Sequence, residues 1–184
     1  MRVTVYWRAL PADAGRAARD AFLADALGKA RFARLTSGPG GKPFVAPAQA
    51  DPHPPHMSLS HTRGLIVCAV ADAPVGVDVE ARQRAVPPAL ARRILSAAEA
   101  GRFSALPPAR QGAFLLQRWV AKEAHLKRTG EGIAGGMASL TVADDGGVET
   151  DGGICGAVRV FSLAEAFVAV AAETAAIEAA FREI

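Results

Sequence analysis

The 184-residue sequence is poor in cysteine, lysine, aromatic side chains and charge, and each shortage excludes a class of protein. Two cysteines, Cys68 and Cys155, cannot build a disulfide framework, and their spacing fits no zinc motif. There is no uninterrupted apolar run of transmembrane length and no long apolar core near Met1, so neither a membrane span nor a signal peptide is expected. Charged residues make up 21% against 51% hydrophobic, the reverse of the balance that keeps chains disordered. Eleven aromatics and a net charge of +3 fall short of the aromatic-flanked basic face of a nucleic-acid binder. What remains is a soluble, cytoplasmic globular protein of one compact domain or two small lobes. A chain of this length buries roughly 70% of the surface its unfolded form exposes.

The shortage of lysine is informative in itself. Of 21 basic residues 17 are Arg, and lysine is kept only at Lys29, Lys42, Lys122 and Lys127. Arg is a planar fork, whereas Lys is a compact point charge on a flexible stem. Either codon bias placed these four, or some of them do what a guanidinium cannot.

Along the chain, Val3–Trp7 alternates and is rich in β-formers, which predicts a strand. Asp13–Leu27 reads as a helix with Phe22, Leu23, Ala26 and Leu27 on its apolar face and Gly28 as its stop. Ser37–Pro55, dense in Gly and Pro, reads as loop, and Met57–Asp72 as a hairpin. Pro74 opens a new segment with a strand over Val75–Glu80. Ser96 and Glu99 fit a helix capping box. The strongest helix runs from Ala109 to about Thr129, with a Leu115, Trp119 and Leu126 stripe, and Gly130 ends it. Strands follow around Ala138–Val142, Ala157–Leu163 and Ala166–Ala172, and the tail Thr174–Ile184 reads as a short helix. Met57–Ala71 and Val160–Ala172 echo one another weakly, as two similar α+β lobes would, with 1–73 and 74–184 forming one integrated unit.

Three places could carry chemistry. On a strand, Val77 and Val79 face the core while Asp78 and Glu80 point out together. Taken alone the pair reads as a solvated strand face; the sharper reading is a magnesium site, since that ion takes a few carboxylates and fills its remaining positions with water and phosphate. In Trp119-Val120-Ala121-Lys122-Glu123-Ala124-His125-Leu126-Lys127, Glu123 and Lys127 are four apart on one helix face. They form either an ordinary helix salt bridge or a third carboxylate with a lysine for phosphate. His125 reads as a surface residue and Trp119 as core. Ser60-His61, at a strand-to-turn junction, suits anion binding, because the surrounding sequence is no nucleophile elbow. His53 and His56, in the DPHPPH loop, are not read as metal ligands, and Gly38–Gly41 lacks the continuation of a P-loop.

The order Gly41-Lys42-Pro43, Ser60-His61, Gly76-Val77-Asp78-Val79-Glu80, then Trp119-x-x-Lys-Glu-Ala-x-x-Lys127 resembles the 4′-phosphopantetheinyl transferase superfamily, in its longer, two-lobed kind. The resemblance covers about Gly41 to Ile133, half the chain. It implies an α+β fold of two similar lobes related by a pseudo-twofold, with coenzyme A in the cleft between them. It implies a magnesium-dependent enzyme that moves the phosphopantetheine arm of coenzyme A onto a serine of an apo acyl or peptidyl carrier protein, releasing 3′,5′-ADP. The pathways implied are polyketide, nonribosomal peptide or fatty acid synthesis, and the expected enzyme is a monomer that binds neither nucleic acid nor membrane. By motif, Asp78, Glu80 and Glu123 hold magnesium and Lys127 contacts the pyrophosphate. Lys42 sits near the adenosine end, and Ser60 and His61 near the 3′-phosphate. Glu123 deprotonates the incoming serine, directly or through a magnesium-bound water. Val120 replaces the small residue usual after the motif Trp and reads as packing; either Arg16 or Arg19 supplies the first helix's grip on coenzyme A. The alternative is a non-catalytic module that keeps the fold and binds a carrier protein or nucleotide. The intact set of Asp78, Glu80, Glu123 and Lys127 favours the enzyme.

Overall fold

A computed structural model describes residues 1–11, 13–38, 41–132 and 136–184. Pro39 and Gly40 of the glycine-rich loop, and Ile133 at the end of the motif region, lie outside the described residues. The first half comprises β1 (Arg2–Ala9), α1 (Arg16–Leu27), α2 (Lys29–Phe32), β2 (Leu35–Ser37), β3 (Pro43–Val45), β4 (His56–Thr62) and β5 (Leu65–Ala71). Then come β6 (Gly76–Ala81), α3 (Ala91–Ile94), α4 (Ala97–Ala105) and α5 (Pro108–Thr129). The chain closes with β7 (Thr141–Val142), β8 (Gly147–Thr150), β9 (Gly153–Leu163), β10 (Ala166–Ala172) and β11 (Glu178–Glu183).

The strands form two main sheets, ordered β11-β1-β5-β4 and β6-β10-β9-β8-β7, and β2 pairs with β3 alone. Period-two alternation then builds the layers. Val3 and Val5 of β1 and Leu65, Val67, Ala69 and Ala71 of β5 share one core with Val77, Val79, Val168 and Val170 from the second sheet. The other face of β5, Ile66 and Cys68, is covered by Phe22, Leu23, Ala26 and Leu27 of α1. The other face of β10, Ala169 and Ala171, is covered by Leu116, Val120 and Ala124 of α5. Each sheet thus carries a helix on its outer side and shares its inner side with the other sheet. The class is α+β, as expected.

Helix ends follow their signals. Ser96 accepts from the Glu99 amide while the Glu99 carboxylate takes the Ser96 amide, the expected capping box. Gly130 ends α5 at φ 84°, a left-handed conformation that glycine adopts without penalty. Among the described residues no helix is long and apolar enough to cross a membrane.

Two expectations fail. The tail is not helical: β11 runs parallel to β1, from Arg2 opposite Glu178 to Trp7 opposite Glu183. Its alanines favour helix, but Ile177, Ala179 and Phe181 bury alternately against the shared core, and that packing overrides propensity. The Ser37–Pro55 loop contains β3, whose Val45 is buried beneath α1.

Candidate functional site

The site is built where β4 meets β6. Both are edge strands, and no backbone ladder joins them. Instead Ser58, Ser60 and Thr62, every second residue of β4, accept from the amides of Val77, Val79 and Ala81 at 3.0, 3.3 and 3.4 Å. This row of hydroxyls satisfies amides that would otherwise be buried without partners. It also holds the first sheet against the motif strand of the second.

Gly76, the first residue of that strand, sets the distance to α5. A Cβ there would lie 1.9 Å from the Ala124 carbonyl oxygen and 2.6 Å from the Arg128 amide nitrogen. No side chain fits between those backbones. The close approach lays the Glu123 and Lys127 face of α5 over Asp78, so Asp78 is buried, only 5% exposed, and the solvated strand face is ruled out.

Within the site the Lys127 Nζ donates to Asp78 Oδ1 at 2.7 Å and to Ser60 Oγ at 2.9 Å, and Ser60 Oγ donates to Asp78 Oδ1 at 2.8 Å. The Ser60 hydroxyl gives its one proton to Asp78 and accepts from Val79 and Lys127, so it is fully engaged. Lys127 pairs with Asp78 across the elements, not with Glu123 along the helix. Asp78 Oδ2 and Glu123 Oε1 are buried and have no protein donor. Burial, and then the Asp78 charge, push the Glu123 carboxyl above its ordinary range, while Lys127 and Arg84 pull it back. Glu80 is largely buried at its side chain; it pairs with Arg84 and accepts from Thr62 Oγ1 at 3.3 Å. Among the described residues no three acidic, His or Cys side chains are gathered tightly enough to hold a metal. Even so, two buried carboxylate oxygens without donors fit a divalent cation, and Glu80 is the nearest carboxylate on the same strand face.

The other expected residues are distributed around this centre. Lys42 lines a cavity of about 250 Å³ with Lys127, Ser58 and Leu126. Its ammonium donates to the Val75 and Arg128 carbonyls at 3.3 and 3.0 Å, and burial, helped by the Arg128 charge, lowers its pKa. His61 follows Ser60 but projects to the opposite face of β4. There it lines a separate cavity of about 470 Å³ with Arg16, Arg19 and Thr62. Lys42 and Ser60 are therefore on the Lys127 side, and His61 is apart from them with both candidate arginines.

Two further residues of the helix motif are buried within the fold. Lys122 is fully buried, bonded to the Ile94 and Met137 carbonyls at 2.6 and 3.1 Å and to the Glu99 carboxylate. It does not reach the cavity that Lys42 and Lys127 line. His125 is not a surface residue: it is 2% exposed, with Nε2 3.6 Å from Cys155 Sγ. Burial, and then Arg128, push its pKa down to about 4, so the ring is neutral at physiological pH. The apolar stripe conceals this, because α5 is buried on nearly every side from Val120 to Leu126. Val120 is packed in the core, as expected. Sequence reasoning passed over the Ser58-x-Ser60-x-Thr62 alternation, which was legible. It also passed over Arg84, which has no local signal.

Residues 74–162, which carry β6 and α5, match the family model of the 4′-phosphopantetheinyl transferase superfamily. The chain is 41% identical over 93 residues to 4′-phosphopantetheinyl transferase psf-1 of Bacillus pumilus, covering 50% of this chain and 40% of that protein. A 4′-phosphopantetheinyl transferase of Bacillus subtilis is 33% identical over 113 residues, 60% of this chain and 48% of the relative. A holo-[acyl-carrier-protein] synthase of Geobacillus kaustophilus is 54% identical over 41 residues, 22% of this chain and 32% of that protein. The matched stretches span less than half the length of these relatives. The strand and helix that form the acidic centre lie within the matched residues, and through them the chain is similar to the 4′-phosphopantetheinyl transferase superfamily.

Proposed function

We propose that this chain transfers the 4′-phosphopantetheine arm of coenzyme A to a serine of an apo acyl or peptidyl carrier protein and releases 3′,5′-ADP. The observation that carries the reading is the pair of donorless carboxylate oxygens, Asp78 Oδ2 and Glu123 Oε1, beside the Lys127 ammonium. Anions without donors next to a fixed cation suit a site that takes up a metal and a phosphate together.

In this reading Asp78, Glu80 and Glu123 would hold magnesium, which when bound would supply positive charge for the 5′-phosphate of the departing 3′,5′-ADP. Lys127, steadied by Asp78 and Ser60, presents its ammonium to the pyrophosphate. Glu123, buried beside Asp78 and Lys127, would accept the proton of the incoming serine hydroxyl. Lys42, which lines the Lys127 cavity, would face the adenosine end; His61 lines the neighbouring cavity with Arg16 and Arg19, whose guanidiniums would offer positive charge to the 3′-phosphate. Ser60 acts through Asp78 and Lys127 and supplies no nucleophile, since its hydroxyl is fully engaged. The units are two lobes, 1–73 and 74–184, although β11 of the second is hydrogen-bonded into the sheet of the first. The enzyme acts as a cytoplasmic monomer on an acidic carrier protein, to which a net charge of +3 is suited.

The test is a mass-shift assay. With magnesium and coenzyme A, the purified chain should add one phosphopantetheine mass to at least one of a panel of apo carrier proteins. No gain across the panel would overturn the transferase reading.

A further inference from the structure

We propose that Arg84 is a built-in counter-ion of the acidic centre, which releases Glu80 when a divalent cation binds and thereby sets the affinity for that cation. The inference rests on the reading of Asp78, Glu80 and Glu123 as the cation's ligands and deepens it.

Arg84 stands at the exit of β6, where its amide closes a turn onto the Ala81 carbonyl at 2.9 Å. Its guanidinium pairs with Glu80 Oε1 and lies 5.1 Å from the centroid of the Trp119 ring. Glu80 Oε2 takes the Thr62 hydroxyl, so both oxygens of this carboxylate are engaged. A cation that uses Glu80 has to take over Oε1, the oxygen that Arg84 holds.

The two cations of the site differ in their freedom. Lys127 is held by both Ser60 and Asp78. Arg84 is 43% exposed at its side chain, has one carboxylate partner, and rests on an aromatic face that can retain it after release.

The balance of charge gives the exchange its direction. Asp78, Glu80 and Glu123 supply three negative charges, and Lys127 and Arg84 two positive ones. A divalent cation added to that set leaves an excess positive charge beside the incoming ion. The set is neutral with the divalent cation and Lys127 alone, so binding favours the departure of Arg84. Trp119 belongs to α5, one turn before Glu123, and its ring lies against the guanidinium. Its emission should therefore report the exchange.

The experiment uses the full chain carrying Trp7→Phe, so that Trp119 is the only indole, with magnesium chloride alone as the probe. Binding is followed by calorimetry and by Trp119 emission. In the parent, magnesium should change the emission saturably, with the same midpoint as the heat. Arg84→Gln should bind magnesium about two- to fivefold tighter, the range expected when a half-exposed ion pair stops competing. The same variant should lose the emission change. Arg84→Lys, which keeps the charge, should return the affinity toward the parent value. Equal or weaker binding by Arg84→Gln overturns the exchange and leaves the cation assignment standing, as does an emission change that survives the substitution. No binding by either protein overturns both the exchange and the ligand assignment beneath it.

Discussion

Replacing Lys122 by methionine tests whether this motif lysine serves the fold or the ligand. Its ammonium has three acceptors, the Ile94 and Met137 carbonyls and the Glu99 carboxylate, and no exposed surface. Methionine keeps most of the apolar stem and removes all three bonds. Glu99 is then left buried, though it keeps the Ser96 and Val142 amides at 2.9 and 3.0 Å and the Arg118 guanidinium at 3.7 Å. Stranding one partner of a buried pair destabilises by about 3–5 kcal/mol, and the surviving donors place Lys122→Met near the lower end, at ~3 kcal/mol. For a chain of this size that lowers Tm by about 6–12 °C. The assay is thermal unfolding at pH 7, paired with coenzyme A titration of the protein that stays folded. Adding Glu99→Gln relieves the stranded charge, so the double variant should lose less stability than the two single losses summed. A melting temperature within about 2 °C of the parent, together with weakened coenzyme A binding, would refute the structural assignment and give Lys122 to the ligand instead.

Glu123→Gln should abolish phosphopantetheine transfer and yet stabilise the fold at neutral pH. The folded-state pKa of Glu123 lies above the unfolded value, so the ionised carboxylate is a burden that grows as pH rises through the folded pKa. Urea unfolding should show the variant more stable than the parent at pH 7 and no different below the ordinary carboxylate range; equal stability at pH 7 would contradict the burial argument. Gly76→Ala should cost roughly 3 kcal/mol or prevent folding, because the added Cβ meets the backbone of α5 at 1.9 Å and backbone cannot yield. The control is Gly101→Ala in α4, which has nothing within 4 Å and should stabilise by about 0.5–1 kcal/mol. Similar melting temperatures for these two variants would refute the close approach.

How much of this was legible before the structure depends on whether the signal was local. The strands β1, β4, β5 and β6, the Ser96 capping box and the glycine stop of α5 are written into adjacent residues, and all appear as read. The acidic centre was legible as residue types, since Asp78 and Glu80 share a strand face, and Glu123 and Lys127 a helix face. What was not legible is which element packs on which. The burial of Asp78 follows from the contact of β6 with α5, and the strand character of Glu178–Glu183 from the free edge of β1, two features far apart in sequence. His125 failed for a related reason. A polar residue on a helix reads as solvent-facing unless the whole circumference is covered, and here β9 covers it, bringing Cys155 to 3.6 Å.

The scarcity of lysine takes a physical form once the partners are known. The Lys122 ammonium meets acceptors from Ile94, Glu99 and Met137, on three different segments. Lys127 joins Ser60 of β4 to Asp78 of β6, and Lys42 joins the carbonyl before β6 to one in the last turn of α5. In each case a single small cation gathers acceptors that come from separate elements toward one point. An ammonium carries three donors on one atom and can satisfy such a set, whereas a guanidinium spreads its donors across a plane and suits a flat, bidentate partner. Arg84 meets that other kind of surroundings, an indole ring and a single carboxylate. Lys29, the fourth lysine, lies exposed on α2, where either residue would serve. A chain otherwise built with arginine has therefore kept lysine at the three points where separate elements are pinned together around the acidic centre or the helix that carries it.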